Sequence, residues 1–242
     1  MHSGFKFGSK GTWDFHMHVQ RSPQQGSPAR RMQSFSVLGR NGNLHIQDHS
    51  FENYTQPYDC YFHNPEKSSP EHAHAIKSWL GSSGAYQRLE DTYDPDHFRL
   101  AAFAGPLDIE NRLNRYGRCT VYFDCDPRAF LKYGEIPVPF SASGEIYNPT
   151  AFEALPLITV TGNGSGTVTI GAYTVEIKAI DTPIILDCEL QHAYTRPGDG
   201  GPVNKNGDIK ALPFPQLLPG CNPISFSGGI TGIEIIPRWW EL

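Results

Sequence analysis

The sequence predicts a mainly β protein: two β domains, with a single helix docked on the first. Three observations carry this. Glycine and proline are abundant, 24 and 20 of 242 residues, and are spread along the chain, which suits many short strands and turns. Short segments of alternating apolar and polar residues recur between turn residues from end to end. One segment, near residues 70–80, instead has helical spacing with its own start and stop signals. The length suffices for one large β domain or two ordinary ones with a real core.

The elements follow in order. In Thr12–Val19, Trp13, Phe15, Met17 and Val19 alternate with polar neighbours, the pattern of a half-buried strand. Gln20–Arg30, rich in Gln, Ser and Pro, reads as an exposed loop. Arg31–Leu38 and Leu44–Gln47 flank Asn41-Gly42, a pair suited to the positive φ of a tight hairpin turn, with Arg40 at its tip. Phe51–Phe62 reads as another strand, with Pro57 marking an edge or a break. Ser69-Pro70-Glu71 then supplies an N-cap hydroxyl, a proline at the first helical position and an acid at the positive helix end. Ala73, Ile76, Trp79 and Leu80 form one apolar face, and Gly81 stops the helix. So short a helix has to be held by docking Trp79 and Leu80 on a sheet.

Strands are expected next at Ala85–Leu89, His97–Ala104, Asp108–Leu113 and Arg118–Phe123. Patterning weakens across Lys132–Pro149, so the domains are drawn as 1–135 and 136–242. In the second, Pro156–Thr161 and Thr167–Ile170 are expected to pair as a hairpin around Gly162–Gly166. Tyr173–Ile180, Ile184–Leu190, Ile224–Phe226 and Ile230–Ile236 follow at the spacing of a β-sandwich.

Composition excludes several functions. A net charge of −5, from 25 acidic and 20 well-interspersed basic residues, gives no drive toward nucleic acid or anionic membrane. No 18-residue apolar window and no secretory h-region are seen, which predicts a soluble protein made in a cytoplasm. Five cysteines, an odd number without CxxC, predict reduced thiols. Gly162-x-Gly164-x-Gly166 precedes strand-like Thr-Val-Thr-Ile rather than a helix, so no phosphate loop and no cofactor site follow.

For chemistry, Asp14, His16 and His18 share one face if Thr12–Val19 is a strand, and their types suit zinc. Without a fourth ligand, a solvent-facing polar edge is the simpler reading, and no metal is assigned. His72 and His74 fall on different helix faces and cannot chelate one ion. Asp124/Asp126 and Asp187/Glu189 are carboxylate pairs of the kind glycosidases use, but no accompanying nucleophile, base and oxyanion set is found, so no enzyme is predicted. Tyr194, Trp239 and Trp240 are candidates for stacking on glycan or docking protein; against this, one tryptophan of the pair fills a core.

An ordered set of signatures covers nearly the whole chain. It runs Phe5-Lys-Phe-Gly8, Val37-Leu-Gly-Arg-Asn-Gly42, Ile76-Lys-Ser-Trp-Leu80, Tyr86 to Leu89 with Tyr93-Asp-Pro95, and Val121-Tyr-Phe-Asp-Cys-Asp-Pro127. In the second half come Pro156-Leu-Ile-Thr-Val-Thr-Gly162, Leu186-Asp-Cys188 and Leu218-Pro-Gly-Cys-Asn222. In this the chain resembles the distal tail protein (Dit) family of long, non-contractile-tailed phages and prophages. Leu38 and Asn41 stand where that family usually has proline and aspartate.

The resemblance implies a non-enzymatic virion protein at the tail tip, assembled in the bacterial host cytoplasm. It implies an N-terminal β-sandwich with one helix and a β-hairpin that associates into a ring, usually a hexamer. One ring face joins the tail tube protein and the other the tail-associated lysin or tip protein. The galectin- or carbohydrate-binding-module-like C-terminal sandwich serves as platform for receptor-binding proteins, or as a module touching host glycans itself. Arg40 and Asn41 then belong at a subunit boundary rather than in a catalytic pocket.

Overall fold

A computed structural model describes residues 3–63, 68–112, 115–198, 201–211 and 213–242. The first strands of the chain are β1 (Phe5–Phe7), β2 (Lys10–Gly11), β3 (Met17–Val19), β4 (Arg30–Ser36), β5 (Asn43–Phe51) and β6 (Tyr54–His63). They are followed by α1 (Ser69–Leu80), β7 (Gln87–Asp91), β8 (His97–Phe103), β9 (Ile109–Arg112) and β10 (Tyr116–Leu131). The later strands are β11 (Val138–Phe140), β12 (Gly144–Asn148), β13 (Leu157–Ile170), β14 (Tyr173–Ile180) and β15 (Ile184–Asp187). Then come β16 (His192–Thr195), β17 (Val203–Asn204), β18 (Ile209–Lys210), β19 (Gly220–Ile236) and β20 (Trp240–Glu241). The protein is mainly β. Its contacts divide it into two units, one running to Ala129 with Leu242, the other Phe130–Glu241. That line falls inside β10, ahead of the weakly patterned stretch from which 135/136 was drawn.

In the first unit the strands lie in the order β2-β1-β7-β8-β10-β6-β3, with β9 also beside β10. Strand period 2 turns Tyr58, Cys60 and Phe62 of β6, and Cys119, Val121, Phe123 and Cys125 of β10, to one buried face. Phe5 and Phe7 of β1 join them, the Phe5 ring 4.8 Å from Tyr58 and 5.3 Å from Phe123. α1 closes this face as its spacing predicts, with Ile76, Trp79 and Leu80 buried. Trp79 stacks on Phe15 at 4.6 Å, and its Nε1 donates to the Phe7 carbonyl at 3.3 Å. The N-cap residue is Ser68, which makes no side-chain capping bond, with proline in the first turn; Gly81 is the C-cap. Leu113, expected to end a strand, lies outside the described residues.

Two local expectations fail here. Thr12–Val19 is not one strand: Thr12–Phe15 forms a 3₁₀ turn, His16 adopts a left-handed φ of 43°, and only Met17–Val19 is extended. The cause is the Asp14 carboxylate, which accepts the Gly11 N–H at 2.9 Å and so competes with sheet pairing. Phe51–Phe62 is also divided, because β5 ends at Phe51 and β6 begins at Tyr54. Pro57 sits where β6 lacks a second neighbour, since β3 covers only Cys60–Phe62.

The second unit is one folded-over sheet. β13 pairs with β19 along its length, from Leu157↔Ile236 to Ile170↔Ile224, with register shifts at Thr161–Gly166. Before the shifts β13 also pairs with β15, after them with β14; β19 likewise takes β11 at one end and β12 at the other. Strands that turn a corner at bulges can serve both layers of a sandwich. Ile158 and Val160 before the corner, and Val168 and Ile170 after it, all enter one core.

The Gly162–Gly166 segment is therefore the corner of a single long strand, not a hairpin, and Ile224–Phe226 and Ile230–Ile236 are parts of one strand. Glycine is required there: a Cβ on Gly229 would sit on the Asn163 carbonyl oxygen, and one on Gly162 on that of Gly229. The backbones approach too closely for any side chain.

Candidate functional site: an exposed arm and a polar groove

β4 and β5 pair with each other as a separate two-stranded sheet. Period 2 and the register Phe35↔Leu44 and Gln33↔Ile46 set Phe35, Leu44 and Ile46 on one face. Ser34, Ser36, Asn43 and His45 take the other. Every residue of β4 is exposed, and so are Leu44 and Ile46. An unpaired two-stranded ribbon with one apolar face is marginal alone and marks an interaction surface. The segment 30–51 carries Arg30, Arg31 and Arg40 against Asp48, a positive arm on a negative chain. At its base the Arg30 guanidinium lies 4.8 Å from the Phe51 ring centre. The Ser50 hydroxyl and N–H hold the Asp48 carboxyl below the ordinary range.

The tip differs from the expected tight turn at Asn41-Gly42. Residues 37–42 separate the paired strands. The first turn is closed by the Arg40 N–H donating to the Val37 carbonyl at 3.2 Å, with Gly39 at φ +80°. This places glycine third in a four-residue turn, where a type II turn needs positive φ. Leu38, entirely exposed at 102%, occupies the second position, the one proline suits. Arg40 and Asn41 are both exposed at the tip.

A second feature lies on the outer face of β6 and β10. Pro57 and Asp59 alternate with buried Tyr58 and Cys60, and pair in register with Tyr122 and Thr120. The chain after β3 is tied down beside them. Arg21 binds Asp59 at 2.6 Å, the Gln20 N–H donates to the Asp59 carbonyl, and buried Gln56 reaches the Gln24 carbonyl at 2.8 Å. Between this segment and the sheet is a recess of 470 Å³ that includes Arg21, Pro23, Pro57 and Tyr122. A neighbouring recess of 310 Å³ shares Asp59 and Thr120 and adds Asp108, Glu110 and Arg118. Hydrogen bonds from Thr120 and then Arg21 hold the Asp59 carboxyl low.

The remaining candidates are dispersed. Asp14, His16 and His18 are not a same-face triad, because the strand that aligned them is absent and Asp14 caps the turn. No group of three His, Cys, Asp or Glu among the described residues is placed to hold a metal. Asp124 accepts from Asn53 at 2.9 Å, and Asp126 is held by Arg128 at 2.9 Å. Asp187 is gripped by both terminal nitrogens of Arg238, at 2.9 and 3.2 Å, and Glu189 lies 3.6 Å from the same guanidinium. Both carboxylate pairs are thus structural.

Trp239 is buried (4% exposed) in the second core and offers no ring to a ligand, whereas Trp240 is half-buried and stacks on Phe152 at 4.3 Å. Tyr194 is half-buried, with Arg196 5.5 Å from its ring centre. The five cysteines are free, and all but Cys221 are buried. No described helix is long and apolar enough to cross a membrane. The groove was not foreseen from sequence; its only local sign was the outward alternation of Pro57, Asp59, Thr120 and Tyr122.

No protein-family model and no curated protein sequence matches the chain. Solved structures do, and they define a class: the fold is that of phage baseplate and tail-hub proteins. The SPP1 Dit (gp 19.1) protein, described as a paradigm of the hub adsorption apparatus in phages infecting Gram-positive bacteria, matches with a TM-score of 0.73 over 100% of both chains, at 11% identity. A chain of the phage p2 baseplate, in its activated conformation with Sr, matches at TM-score 0.51 and 9% identity, covering 96% of this chain and 97% of that one. The chain carries the Dit fold from end to end.

Proposed function

We propose that this chain is a structural hub protein of a phage tail tip, not an enzyme, and that it assembles through the β4–β5 arm into a ring, a hexamer, at the end of the tail tube. The observation that carries the reading is the full-length likeness to SPP1 Dit, joined by an arm whose apolar face nothing in the described chain covers. In this role the ring joins tube protein to tip protein or tail-associated lysin, and the second unit carries receptor-binding proteins. Assembly takes place in the host cytoplasm and the product is part of the virion. An arm and a separate receiving surface make a heterologous contact, which closes into a ring rather than a two-fold dimer.

The test is the mass in solution by light scattering across a concentration series, with and without tube protein. Several times the 27.0 kDa of one chain is expected. A monomer under all these conditions rejects the reading. Arg40→Glu is expected to lower the assembled fraction strongly without changing the fold.

A second reading, glycan binding by the second unit, is favoured only by the half-buried rings of Tyr194 and Trp240. Binding on a glycan array that Trp240→Ala removes supports it; no signal above background rejects it.

A further inference from the structure

We propose that the groove on the outer face of β6 and β10 receives the β4–β5 arm of a second copy of this chain, with Arg40 directed to Asp108 and Glu110. This rests on the ring reading above and names the surface that reading leaves open.

The chemistry of the two surfaces runs in the same order. Along the groove, the first recess is walled by Pro23, Pro57 and the exposed ring of Tyr122. Passing down β10 through Thr120 to Arg118, the second recess is bordered by the exposed acids Asp108 and Glu110. Along the arm, the exposed Ile46, Leu44 and Phe35 give way at the tip to Leu38 and Arg40. Apolar faces apolar, and basic faces acidic.

The lengths agree. Tyr122 to Arg118 is four strand residues, about 13 Å at the usual strand rise, and Leu44 to Arg40 is the same number of residues. Arg118 adds a positive charge to the groove, but its Nε donates to the Tyr116 hydroxyl at 3.0 Å, and it lies opposite Glu110 in the β9–β10 register. The arm's own excess of arginine over acid supplies the complement. Complementary charges of this kind set partner and register more than raw affinity, so a swap of signs is the informative experiment.

Three variants are compared by light scattering, with circular dichroism confirming that each folds. Arg40→Glu and the double variant Asp108→Arg/Glu110→Arg are each expected to lose at least tenfold in assembled fraction at the wild-type midpoint concentration. The triple variant combining them is expected to regain most of it. If Arg40→Glu dissociates the ring but the double variant assembles like wild type, the hub reading survives and the groove is rejected. A triple variant no better than either parent rejects it too.

An independent measurement uses two single-cysteine chains in a Cys221→Ser background, Leu38→Cys and Asp108→Cys, mixed and treated with a short bismaleimide. A cross-linked dimer found in the mixture and not in either chain alone is expected. Its absence from a mixture that assembles overturns the assignment.

Discussion

The two units solve the same packing problem with different side chains. The first closes a sheet with a helix, and its core is aromatic: Phe5, Phe7, Phe15, Tyr58, Phe62, Trp79 and Phe123. The second folds a sheet upon itself, and its core is almost wholly aliphatic, built on Ile158, Val160, Val168, Ile170, Ile184, Leu186 and Ile235, with Phe214 and Trp239 its aromatic members. The difference follows from geometry. A helix seated on a sheet leaves an uneven space that large rings fill in offset and edge-on contacts. Two halves of one bent sheet face each other evenly, and β-branched side chains interdigitate there. Stability in the first unit therefore resides in a few large contacts, and in the second in a backbone corner.

The contrast is tested most severely by Gly229→Val. With the Asn163 carbonyl in the way, β13 and β19 are forced apart, and the second unit is expected not to fold; hydrogen exchange should show protection lost across residues 157–170 and 220–236. Next in size, Trp79→Ala removes the stacking on Phe15 and Phe5 and is expected to cost about 3–5 kcal/mol, read by denaturant unfolding. No single aliphatic truncation in the second unit should exceed it. An Ile→Val change there is expected to cost about 0.5–1.5 kcal/mol.

The pair Asp187–Arg238 gives a smaller, pH-dependent effect. Burial disfavours the Asp187 carboxylate, but the hydrogen bonds and charge of Arg238, with the Leu190 and Glu189 N–H groups, outweigh this and hold its pKa below the ordinary value. A carboxyl depressed on folding contributes stability above its unfolded pKa, near 3.9, and loses it as pH falls through the lower folded value. Arg238→Met is therefore expected to cost about 1.5–3 kcal/mol at neutral pH, where the ion pair's hydrogen bonds are lost. The cost should shrink as pH is taken below 4 in thermal melts.

The smallest effect touches no stability. Burial pushes the Cys125 and Cys188 thiols up to about 12 and that of Cys119 to about 11. Alkylation of the native chain should therefore mark exposed Cys221 alone, and slowly, because the Glu145 carboxylate 3.0 Å away also raises that thiol. Mass spectrometry after brief treatment reads the count, and a second labelled site breaks the account of the cores.

Legibility from sequence followed the range of the interactions. The helix was read to within a residue because its proline, apolar face and glycine stop are all local. Thr12–Val19 misled because an i, i+2 apolar rhythm also fits a 3₁₀ turn followed by a short strand. The deciding bond, Asp14 to the Gly11 N–H, leaves no periodic trace. The glycine corner misled more deeply: five residues with three glycines look like a turn, and only the distant partner β19 makes them the middle of a strand. The arm was visible as a hairpin, though its sharp turn lies at Val37–Arg40 rather than at Asn41-Gly42. The groove was illegible because it joins residues near positions 21, 57, 108 and 120. No local pattern connects these.

The pairing of Leu157 with Ile236 has a consequence in time. A contact so far apart in the chain closes slowly, and on the ribosome it waits until the last long strand has emerged. By then every strand of the arm-bearing unit has already been made. The aliphatic strands wait longest without partners, so synthesis rate and temperature, more than equilibrium stability, should govern how much of this protein is recovered intact.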